Sequence, residues 1–514
     1  MTILTNPISP GEVPNGRVPD ADVIVIGAGP AGMAAAVELA SAGSQVVVLD
    51  LQPAPGGQIF RALGANFEDR PGTEVLLKAL GPTYAAGHTL IQKFRTTPRI
   101  DYRPETAVWD LRADGTVGWL KGEVAGYLRA RHVLLANGAM ERPTPFPGWT
   151  LPGVMTAGAV QTLIKAGRLQ PEGRVVLAGT GPLIFLLAEQ LRRLGVRPAL
   201  IARTDRLRHK IAALSRLRLA GLPALLKGVG WLTRLRFAGI PMRSGITELQ
   251  AHGGSQVERV SMTVAGMRVE LACDLLVVHD GIVPAVDLAH GAGLALEWQK
   301  ADACWRPKTA RDGRAQLAPG ATLTTGPCRI HVSGDARMIG GADAAIAHGR
   351  HAARAILSEL SGASSLKVDS DVEGAAVCVQ RAIAARPFID TAFPPGLASQ
   401  LPEDATIICR CEEITAGTLR AIIRQGATDM DLIRGVLRCG MGPCQGRTCS
   451  VTLARLLEET VTQQSEFPVP FRARPPLRPL PLAALAGLTG FDPQLAEIVS
   501  LDDKPEASSD GSHA

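Results

Sequence analysis

Apolar and small residues follow one order near the start of the chain: a β-branched run, a glycine-rich loop, an alanine-rich stretch and a second apolar run. This order predicts a strand at residues 23–26, a helix from Pro30 to about Ala42, and a strand at residues 45–49. Short continuous apolar runs bounded by turns are typical of strands buried on both faces of a parallel sheet. These segments therefore predict one β–α–β unit.

The same order returns further along the chain, with predicted strands at residues 174–178 and 197–202 around a helix at residues 182–194. Another strand is predicted at residues 275–279, and a strand and a long helix follow within residues 330–360. Strands that alternate with helices in this way build parallel sheets covered by helices. The pattern predicts an α/β fold with two Rossmann-like dinucleotide-binding lobes.

Composition and predicted elements together divide the chain into six parts. Cysteines are concentrated late in the chain, around two short helices predicted at residues 415–425 and 429–438, and a proline-rich stretch follows. The six parts are a disordered lead-in at 1–20, a first dinucleotide-binding domain formed by 21–150 and 273–360, a second lobe at 151–272, a connector at 361–400, a small helical domain at 401–465, and a proline-rich tail with a disordered end at 466–514. The tail is expected to wrap a partner or to lie as a strap on the surface.

Charge and hydropathy narrow the class of protein only a little. The net charge of +6 is small for 514 residues, so it gives no support for nucleic-acid binding. Basic residues do cluster at residues 203–243 among leucine and alanine, and we interpret them as an amphipathic helical pair with a solvated basic face, in preference to a membrane or nucleic-acid surface. No uncharged run is long enough to span a membrane and no signal peptide is recognisable, so a cytoplasmic location is expected.

The first glycine loop has the spacing of a dinucleotide-binding motif. Gly27 permits a tight turn, Gly29 lets the backbone approach a pyrophosphate, and Gly32 lets the helix pack closely against the strand. The helix that begins at Pro30 directs free N–H groups at the phosphates. Asp50, at the end of the second strand, can accept hydrogen bonds from an adenosine ribose. Together these features favour a bound dinucleotide over a glycine turn without a ligand.

The second glycine loop, from Gly179 to Ile184, keeps two glycines and has isoleucine in place of the third. The bulk of Ile184 should push the helix away from the strand. The next strand is followed by Arg203 instead of an acidic residue, so Arg203 could pair with the 2′-phosphate of NADPH. The alternative, which we favour, is a lobe that keeps the fold and has lost tight binding of a nicotinamide nucleotide.

The nine cysteines are expected to be reduced, as ligands or packing thiols. Four are isolated and are interpreted as core thiols, so no dithiol is available beside the first loop: Cys273, Cys304, Cys328 and Cys378. Five form a late cluster: Cys409, Cys411, Cys439, Cys444 and Cys449. Four thiolates suit a 2Fe-2S cluster or zinc, and iron–sulfur is favoured because the Cys-x-Cys pair is tight for zinc. The spacing does not decide which four of the five bind.

Longer motifs resemble a known superfamily. PGGQI at residues 55–59, HVLLANGAMERP at 132–143 and IHVSGDARMIGGADAAIAHGRHAA at 330–353 are similar to two-dinucleotide-binding-domain flavoproteins of the thioredoxin-reductase and glutathione-reductase type. The cysteine segment resembles bacterioferritin-associated-ferredoxin 2Fe-2S domains, in the version that ends in GMGxCQGxxC. ERPTPFPGWTLPGVMTAGAVQ at 141–161 is especially similar to α (A) subunits of hetero-oligomeric amino-acid, opine and hydroxyproline dehydrogenases, which are related to hydrogen cyanide synthase subunits.

These resemblances imply FAD in the first domain and a 2Fe-2S cluster in the small domain. Asp335 would bond the ribitol or pyrophosphate region of FAD, Gly57 and Gln58 would lie near the isoalloxazine ring, and Asn137 stands where threonine is usual. The implied FAD-binding residues are Gly27, Gly29, Pro30, Ala31, Gly32, Asp50, Leu51, Gly57, Gln58, Ala136, Asn137, Gly138, Gly334 and Asp335. The implied cluster ligands are Cys409, Cys411, Cys444 and Cys449, with Cys439 as a bystander.

The family resemblance further implies a division of labour. A β subunit of the D-amino-acid-oxidase type, with its own FAD, would oxidise a C–N bond of an amino acid, imino acid or opine, and electrons would pass through this chain to a carrier. Further expectations are an FMN between the subunits and a small ferredoxin-like γ subunit. The residues agree on one point, because no catalytic set for an amino acid is recognisable in this chain. The alternatives are a self-contained NAD(P)H oxidoreductase and a non-catalytic scaffold subunit.

Overall fold

The computed structural model describes residues 19–68, 71–319, 328–362, 366–397, 400–460 and 469–488. The predicted lead-in and the disordered end of the tail lie almost entirely outside these residues. The strands are β1 Ala21–Ile26, β2 Val46–Leu49, β3 Ile100–Arg103, β4 Thr106–Leu111, β5 Thr116–Lys121, β6 Val124–Leu135, β7 Ala139–Glu141, β8 Val154–Thr156, β9 Val175–Thr180, β10 Leu200–Arg203, β11 Met242–Ser244, β12 Thr247–His252, β13 Arg259–Val264, β14 Met267–Ala272, β15 Leu275–Asp280, β16 Ile282–Pro284, β17 Leu296–Gln299, β18 Cys304–Pro307, β19 Arg329–Val332, β20 Ile407–Cys409 and β21 Ile414–Thr415. The α-helices are α1 Pro30–Ser41, α2 Leu63–Asn66, α3 Thr73–Leu80, α4 Pro82–Thr96, α5 Ala157–Thr162, α6 Pro182–Arg193, α7 Leu207–Leu214, α8 Leu222–Phe237, α9 Asp287–Gly291, α10 Ala342–Ser361, α11 Leu366–Ala382, α12 Arg386–Ala392, α13 Ala416–Arg424, α14 Met430–Leu437, α15 Ser450–Thr460 and α16 Leu482–Ala486.

The first sheet gathers strands from both halves of the predicted first domain. Its order is β3-β2-β1-β6-β5-β4, and β19 also pairs with β6. The pairs formed by β1, β2, β3, β19 and β6 are parallel, while β5 pairs antiparallel with β4 and β6. Val23 and Val25 of β1 are fully buried on the face where α1 and α10 pack together. The predicted β–α–β unit and the later strand and helix are confirmed.

The second sheet is parallel, with the order β11-β10-β9-β15-β8. β9, α6 and β10 form the second predicted β–α–β unit, and β12, β13 and β14 form a separate antiparallel sheet. Ile184, which stands in place of the third glycine, is part of α6, and its side chain is buried in the apolar core. The predicted α/β class with two Rossmann-like lobes is therefore confirmed.

The stretch predicted as a connector contains two helices, α11 and α12. Ala375 and Val379 are buried four residues apart on α11, which packs against α10. The apolar pattern of α11 extends over only a few residues, and the serine-rich and proline-rich sequences on either side make the helix hard to recognise. The connector is thus more regular than the sequence indicated.

The small C-terminal domain has its own apolar core, enclosed by α13, α14 and α15, with Leu419, Ile433 and Leu453 fully buried. The two short helices predicted around the cysteines are confirmed as α13 and α14, each end within one residue. The tail then runs back over this chain, because Phe471 is buried in the small-domain core and the Leu477 N–H donates to the Trp109 carbonyl at 2.8 Å. The described part of the tail, residues 469–488, therefore lies against the rest of this chain, and we name it the strap.

The helical pair predicted among the basic residues is confirmed as α7 and α8. Basic residues of both helices are exposed, and large apolar side chains are exposed beside them, including Leu207 at 72% and Phe237 at 89%. Across the described residues, the model contains no helix that is both long enough and apolar enough to cross a bilayer.

Candidate functional site

The parallel strands β1, β6 and β19 end at one edge of the first sheet, and this brings three loops of the predicted FAD site together. Gly27 follows β1 with φ +103°, and a Cβ there would lie 2.5 Å from the Ala136 carbonyl oxygen. A Cβ on Gly32 would lie 1.9 Å from the Gly27 carbonyl oxygen, so only glycine lets α1 approach the strand this closely. Gly334 follows β19, and a Cβ there would lie 2.7 Å from the Ala31 Cβ.

The N-terminus of α1 is open. The helix begins at Pro30 with Gly29 as its N-cap, and no side chain caps it. A Cβ on Gly29 would meet only the Gly57 Cα, at 3.9 Å, and the Gly56 N–H donates to the Ala28 carbonyl at 2.8 Å. The PGGQI segment is therefore held against the glycine loop, and the first-turn N–H groups of α1, which no side chain caps, suit a pyrophosphate.

Asp50, which follows β2, is buried, and its Oδ2 has no hydrogen-bond partner among the described residues. Burial raises the pKa of its carboxyl to about 6, opposed by backbone N–H groups of Gln52 and Ala28. A buried carboxylate oxygen without a partner requires a donor, and ribose hydroxyls are donors of the right kind. Leu51 follows with half of its surface exposed. The residues present thus fit the adenosine end of a dinucleotide.

Two other predicted residues bond within the chain. Asp335 Oδ1 accepts the N–H groups of Gly340, at 2.9 Å, and Gly341, at 3.4 Å, and burial raises the pKa of its carboxyl. The Asn137 side-chain amide donates to the Ala285 carbonyl at 2.9 Å. Asp335 therefore shapes the loop before α10, and Asn137 joins the end of β6 to the segment that follows β16. Gly138 has φ +75°, and a Cβ added to it would meet no atom within 4 Å.

Lys165 is a residue of this region that sequence reasoning missed. It is buried in a π-helical turn, Leu163–Gly167, and its ammonium donates to the carbonyl oxygens of Gln58, at 3.1 Å, and Ile59, at 3.2 Å. Burial lowers the pKa of this ammonium to about 8. Lys165 therefore fixes the PGGQI segment from the second lobe. The available signal was a single charge in an otherwise uncharged helical stretch.

His279 and Glu141 form a second pair that the sequence analysis did not identify. The His279 Nδ1 lies 2.7 Å from Glu141 Oε1, and Glu141 Oε2 accepts the Gly158 N–H at 2.6 Å. The His279 ring faces the second glycine loop, where a Cβ on Gly181 would lie 3.6 Å from Nε2. A polar residue at the carboxyl end of a buried strand was the signal for this pair.

The arginine expected to recognise a 2′-phosphate is engaged within the chain. The Arg203 guanidinium lies over the Phe185 ring, 5.7 Å from its centroid, and 3.8 Å from the Asp205 carboxylate. Only 15% of the Arg203 side chain is exposed. Arg203 is therefore part of the packing at the end of β10.

Residues 386–397, here named the crossing segment, lie over the carboxyl ends of the second sheet. The Phe393 ring packs on Phe185 in the first turn of α6, with centroids 6.1 Å apart. Gly396 lies against Thr204 after β10 so closely that a Cβ would be 2.0 Å from the hydroxyl oxygen.

The crossing segment is also fixed at the neighbouring strand. Asp280, at the end of β15, accepts the N–H groups of Gly396, at 2.8 Å, and Leu397, at 3.0 Å, on Oδ1. Ligands of open α/β sheets bind in the crevice outside the carboxyl ends of the strands. In the second lobe, the protein's own backbone lies across that crevice.

The five late cysteines come together at one end of the small domain. Cys409, Cys439 and Cys449 are buried, and their sulfur atoms all lie within 4.8 Å of one another. Bonds to the thiols of Cys439 and Cys449 lower the pKa of the Cys409 thiol far below its ordinary value. Cys411 is exposed, and its thiol pairs with that of Cys444. The loop that contains Gly442 and Cys444 packs tightly against Cys411.

This grouping contains the four ligands implied by resemblance and also Cys439. The structure puts Cys439 beside Cys409 and Cys449, so proximity alone does not separate it from the ligands. A Cβ on Gly442 would lie 2.2 Å from the Cys411 Cβ, which explains a glycine at this place in the loop. A compact set of thiols on tightly turned backbone fits an iron–sulfur cluster. That Cys439 is a bystander stays a prediction.

Comparison with known proteins identifies the class first. Residues 21–303 match the sequence profile described as "Pyridine nucleotide-disulphide oxidoreductase", and residues 407–459 match that of the "BFD-like [2Fe-2S] binding domain". L-proline dehydrogenase from P. horikoshii has a similar fold, with a TM-score of 0.63 at 20% identity over 90% of this chain and 79% of the other. The class is a two-lobed flavoprotein with an iron–sulfur domain, and its cofactors are FAD and a 2Fe-2S cluster.

Two relatives specify the family. The chain is 38% identical to the opine oxidase A subunit of Agrobacterium tumefaciens (strain Ach5), over 91% of this chain and 92% of the relative. It is 30% identical to hydrogen cyanide synthase subunit HcnB of Pseudomonas protegens, over 90% and 96% of the two chains. The chain belongs to the family of opine oxidase A subunits and HcnB, within the pyridine nucleotide-disulphide oxidoreductases.

Proposed function

We propose that this chain is the electron-transfer subunit of a multi-subunit dehydrogenase that oxidises a C–N bond of an amino acid, imino acid or opine. Substrate oxidation takes place in a D-amino-acid-oxidase-like β subunit with its own FAD. A small γ subunit, an interfacial FMN and an electron carrier complete the proposed assembly, which we assign to the cytoplasm. The names of the relatives support this, since one is a subunit of an opine oxidase and the other a subunit of hydrogen cyanide synthase.

The observation that carries the proposal is the short bridge formed by residues 285–287. The Ala285 N–H donates to the Gly138 carbonyl at 3.1 Å, and the Ala285 carbonyl accepts from the Asn137 side chain. The bridge therefore begins at the edge of the first sheet where we propose that the flavin binds. Val286 packs against the core of the small domain. One bridge therefore touches both cofactor regions.

The far end of the bridge reaches the cysteine loop. Asp287 Oδ2 lies 3.4 Å from the Arg447 guanidinium, and the Arg447 N–H donates to the Cys444 carbonyl at 3.1 Å. When bound, FAD takes up an electron pair and the cluster passes single electrons. The bridge, α9 and the strap hold the two regions in a fixed relation, as electron transfer between them requires.

The proposed cofactor contacts follow the same geometry. We propose that the loop from Gly27 to Gly32 binds the pyrophosphate, Asp50 the ribose, and the Gly57–Gln58 backbone the flavin ring, with Lys165 positioning that backbone. Cys409, Cys411, Cys444 and Cys449 remain the proposed cluster ligands. The domain boundaries given above are part of this proposal.

Reconstitution with a β subunit tests the function. A candidate amino acid or opine should bleach the flavin and cluster absorbance of this chain only in the complex. The self-contained NAD(P)H oxidoreductase is the competing function, and the crossing segment argues against it. Rapid anaerobic bleaching of the isolated chain by NADH or NADPH would favour that competitor, whereas a purified chain without any flavin spectrum would favour a scaffold.

A further inference from the structure

The strongest feature outside the cofactor sites is the surface of residues 206–243, here named the helical pair, which contains α7, α8 and the turn between them. Nine large apolar side chains on this surface are exposed. They are Leu207, Ile211, Leu214, Leu217, Leu219, Leu222, Leu226, Val229 and Phe237. Large exposed apolar side chains concentrated in one segment of the surface mark an interaction site.

The exposed residues follow helical spacing. Along α7 they recur at positions 207, 211 and 214, and along α8 at positions 222, 226 and 229, which is one stripe on each helix. The opposite sides carry the residues that hold the pair on the protein, because Ala213 and Leu235 are fully buried. The apolar stripes are therefore the outer faces of two well-anchored helices.

Charge is strongly segregated on the same surface. Nine of the chain's 54 lysine and arginine residues, and none of its 48 acidic residues, lie in the helical pair, so the rest of the chain carries a slight acidic excess. Within the described part of the chain, seven of these cations have no ion pair with an acidic group: Arg206, Arg208, Arg216, Arg218, Lys227, Arg236 and Arg243. The surface thus combines apolar stripes with uncompensated positive charge.

We propose that the helical pair docks this protein on the surface of an anionic lipid bilayer, with both helices lying in the interface plane. Helices with leucine and phenylalanine on one side and arginine and lysine on the other bind lipid headgroups and the adjacent acyl region in this way. The helical pair contains basic residues and no acidic residue, so its charge complements an anionic surface. Anionic lipid satisfies both features at once.

The proposal does not rest on the proposed function, because binding is measured without turnover. The full-length protein is sedimented with vesicles of phosphatidylcholine alone or with about one third phosphatidylglycerol. It should bind the anionic vesicles at low salt and be released as salt screens the charge. Binding to neither vesicle, or equal binding to both, would overturn the proposal.

Three variants separate the causes. The charge variant Arg216→Gln/Arg218→Gln/Arg236→Gln should lower partitioning by at least tenfold, since each basic residue near an anionic surface contributes about fivefold. The apolar variant Leu207→Ser/Leu214→Ser/Leu226→Ser should lose binding even at low salt. The control Val124→Ser/Met267→Ser/Leu482→Ser changes apolar residues that are equally exposed elsewhere, at 64%, 70% and 83%, and should bind normally.

A protein partner is the competing occupant of this surface. If both variants bound anionic vesicles normally and the apolar variant instead failed to assemble with the β subunit, the surface would be a subunit interface and the membrane proposal would be wrong. Far-ultraviolet circular dichroism and the visible spectrum check folding of every variant. Because the substituted side chains are exposed, both spectra should be unchanged.

Discussion

Asp50 has a buried carboxylate oxygen without a partner at the edge where the first glycine loop lies, and a ribose hydroxyl is the proposed donor. Asp50→Ala should weaken FAD binding by about 10- to 150-fold, the effect of losing a hydrogen bond to a charged group. The fraction of FAD that stays bound to the protein during gel filtration measures this loss of affinity. Asp101→Ala, on neighbouring β3, removes an exposed carboxylate and is the control.

The same residue gives binding a pH dependence. Burial raises the pKa of Asp50 to about 6, so its carboxylate is lost as pH falls through that value. FAD retention should therefore decline below about pH 6 in the wild type. If Asp50→Ala retained FAD as well as the wild type, or lost it with the same pH profile, the ribose assignment would be wrong.

Cys439 distinguishes two ligand sets. Cys439→Ser should leave the visible absorbance and iron content of the cluster in place, whereas Cys444→Ser should abolish both, because the proposed set includes Cys444 and not Cys439. Iron analysis of the purified variants decides. The reverse result would make Cys439 a ligand, consistent with its contact with Cys409 and Cys449.

His132 makes the fold sensitive to acid. It is buried beside His331 and Glu359, with Arg329 and Arg131 near, and burial followed by the His331 ring lowers its pKa to about 4. The histidine of an unfolded chain titrates near pH 6.5. Between about pH 6.5 and 4 the unfolded chain therefore binds more protons than the folded protein, and the stability decreases as the pH is lowered. The low pKa of Glu359, about 2, confines its own contribution to more acidic conditions.

Replacing this histidine should flatten the acid side of the stability profile. His132→Gln should reduce the fall in unfolding free energy between pH 6.5 and 4.5 by an amount on the order of 1–3 kcal/mol. Urea unfolding at each pH measures it, with the surface substitution His88→Gln as control. Equal flattening in both variants would assign the acid sensitivity to another group.

Among the elements, the crossing segment decides most about chemistry, because it lies where a nicotinamide nucleotide would bind in the second lobe. A Cβ on Gly396 would clash with Thr204, so Gly396→Ala should lower the unfolding free energy by about 1–3 kcal/mol. Chemical denaturation measures this. Gly374→Ala, in α11 with open space around the glycine, is the matched control and should be neutral or slightly stabilising. Equal stability of both variants would mean that the segment is not packed into the crevice.

The two β–α–β units could be predicted because each is local: a strand, a glycine loop and a helix within one short stretch. The proposed roles of Gly32 and Asp50 could be inferred from the sequence for the same reason. The crossing segment could not, since its contacts with Thr204 and Asp280 join residues far apart in sequence. The apolar outer stripes of α7 and α8 also escaped prediction, because periodicity identifies an apolar face and not the side of the helix that meets the protein.

For the molecule as a whole, the bridge and the strap connect the two proposed redox regions. The bridge at residues 285–287 joins the end of β6, where the flavin is proposed to bind, to the loop that contains Cys444, and the strap contacts both regions through Phe471 and Leu477. The sequence indicated both cofactor regions and not their connection, because Ala285 and Asp287 belong to no motif. This arrangement suits a chain that passes electrons and leaves substrate oxidation to a partner.

The most direct test is anaerobic mixing of a candidate amino acid or opine with this chain, alone and in complex with its β subunit, while the absorbance and the electron paramagnetic resonance signal of its 2Fe-2S cluster are recorded. We expect the cluster to be reduced within turnover time in the complex and to stay oxidised in the isolated chain. Reduction of the isolated chain at the full rate would contradict the assignment of this protein as an electron-transfer subunit.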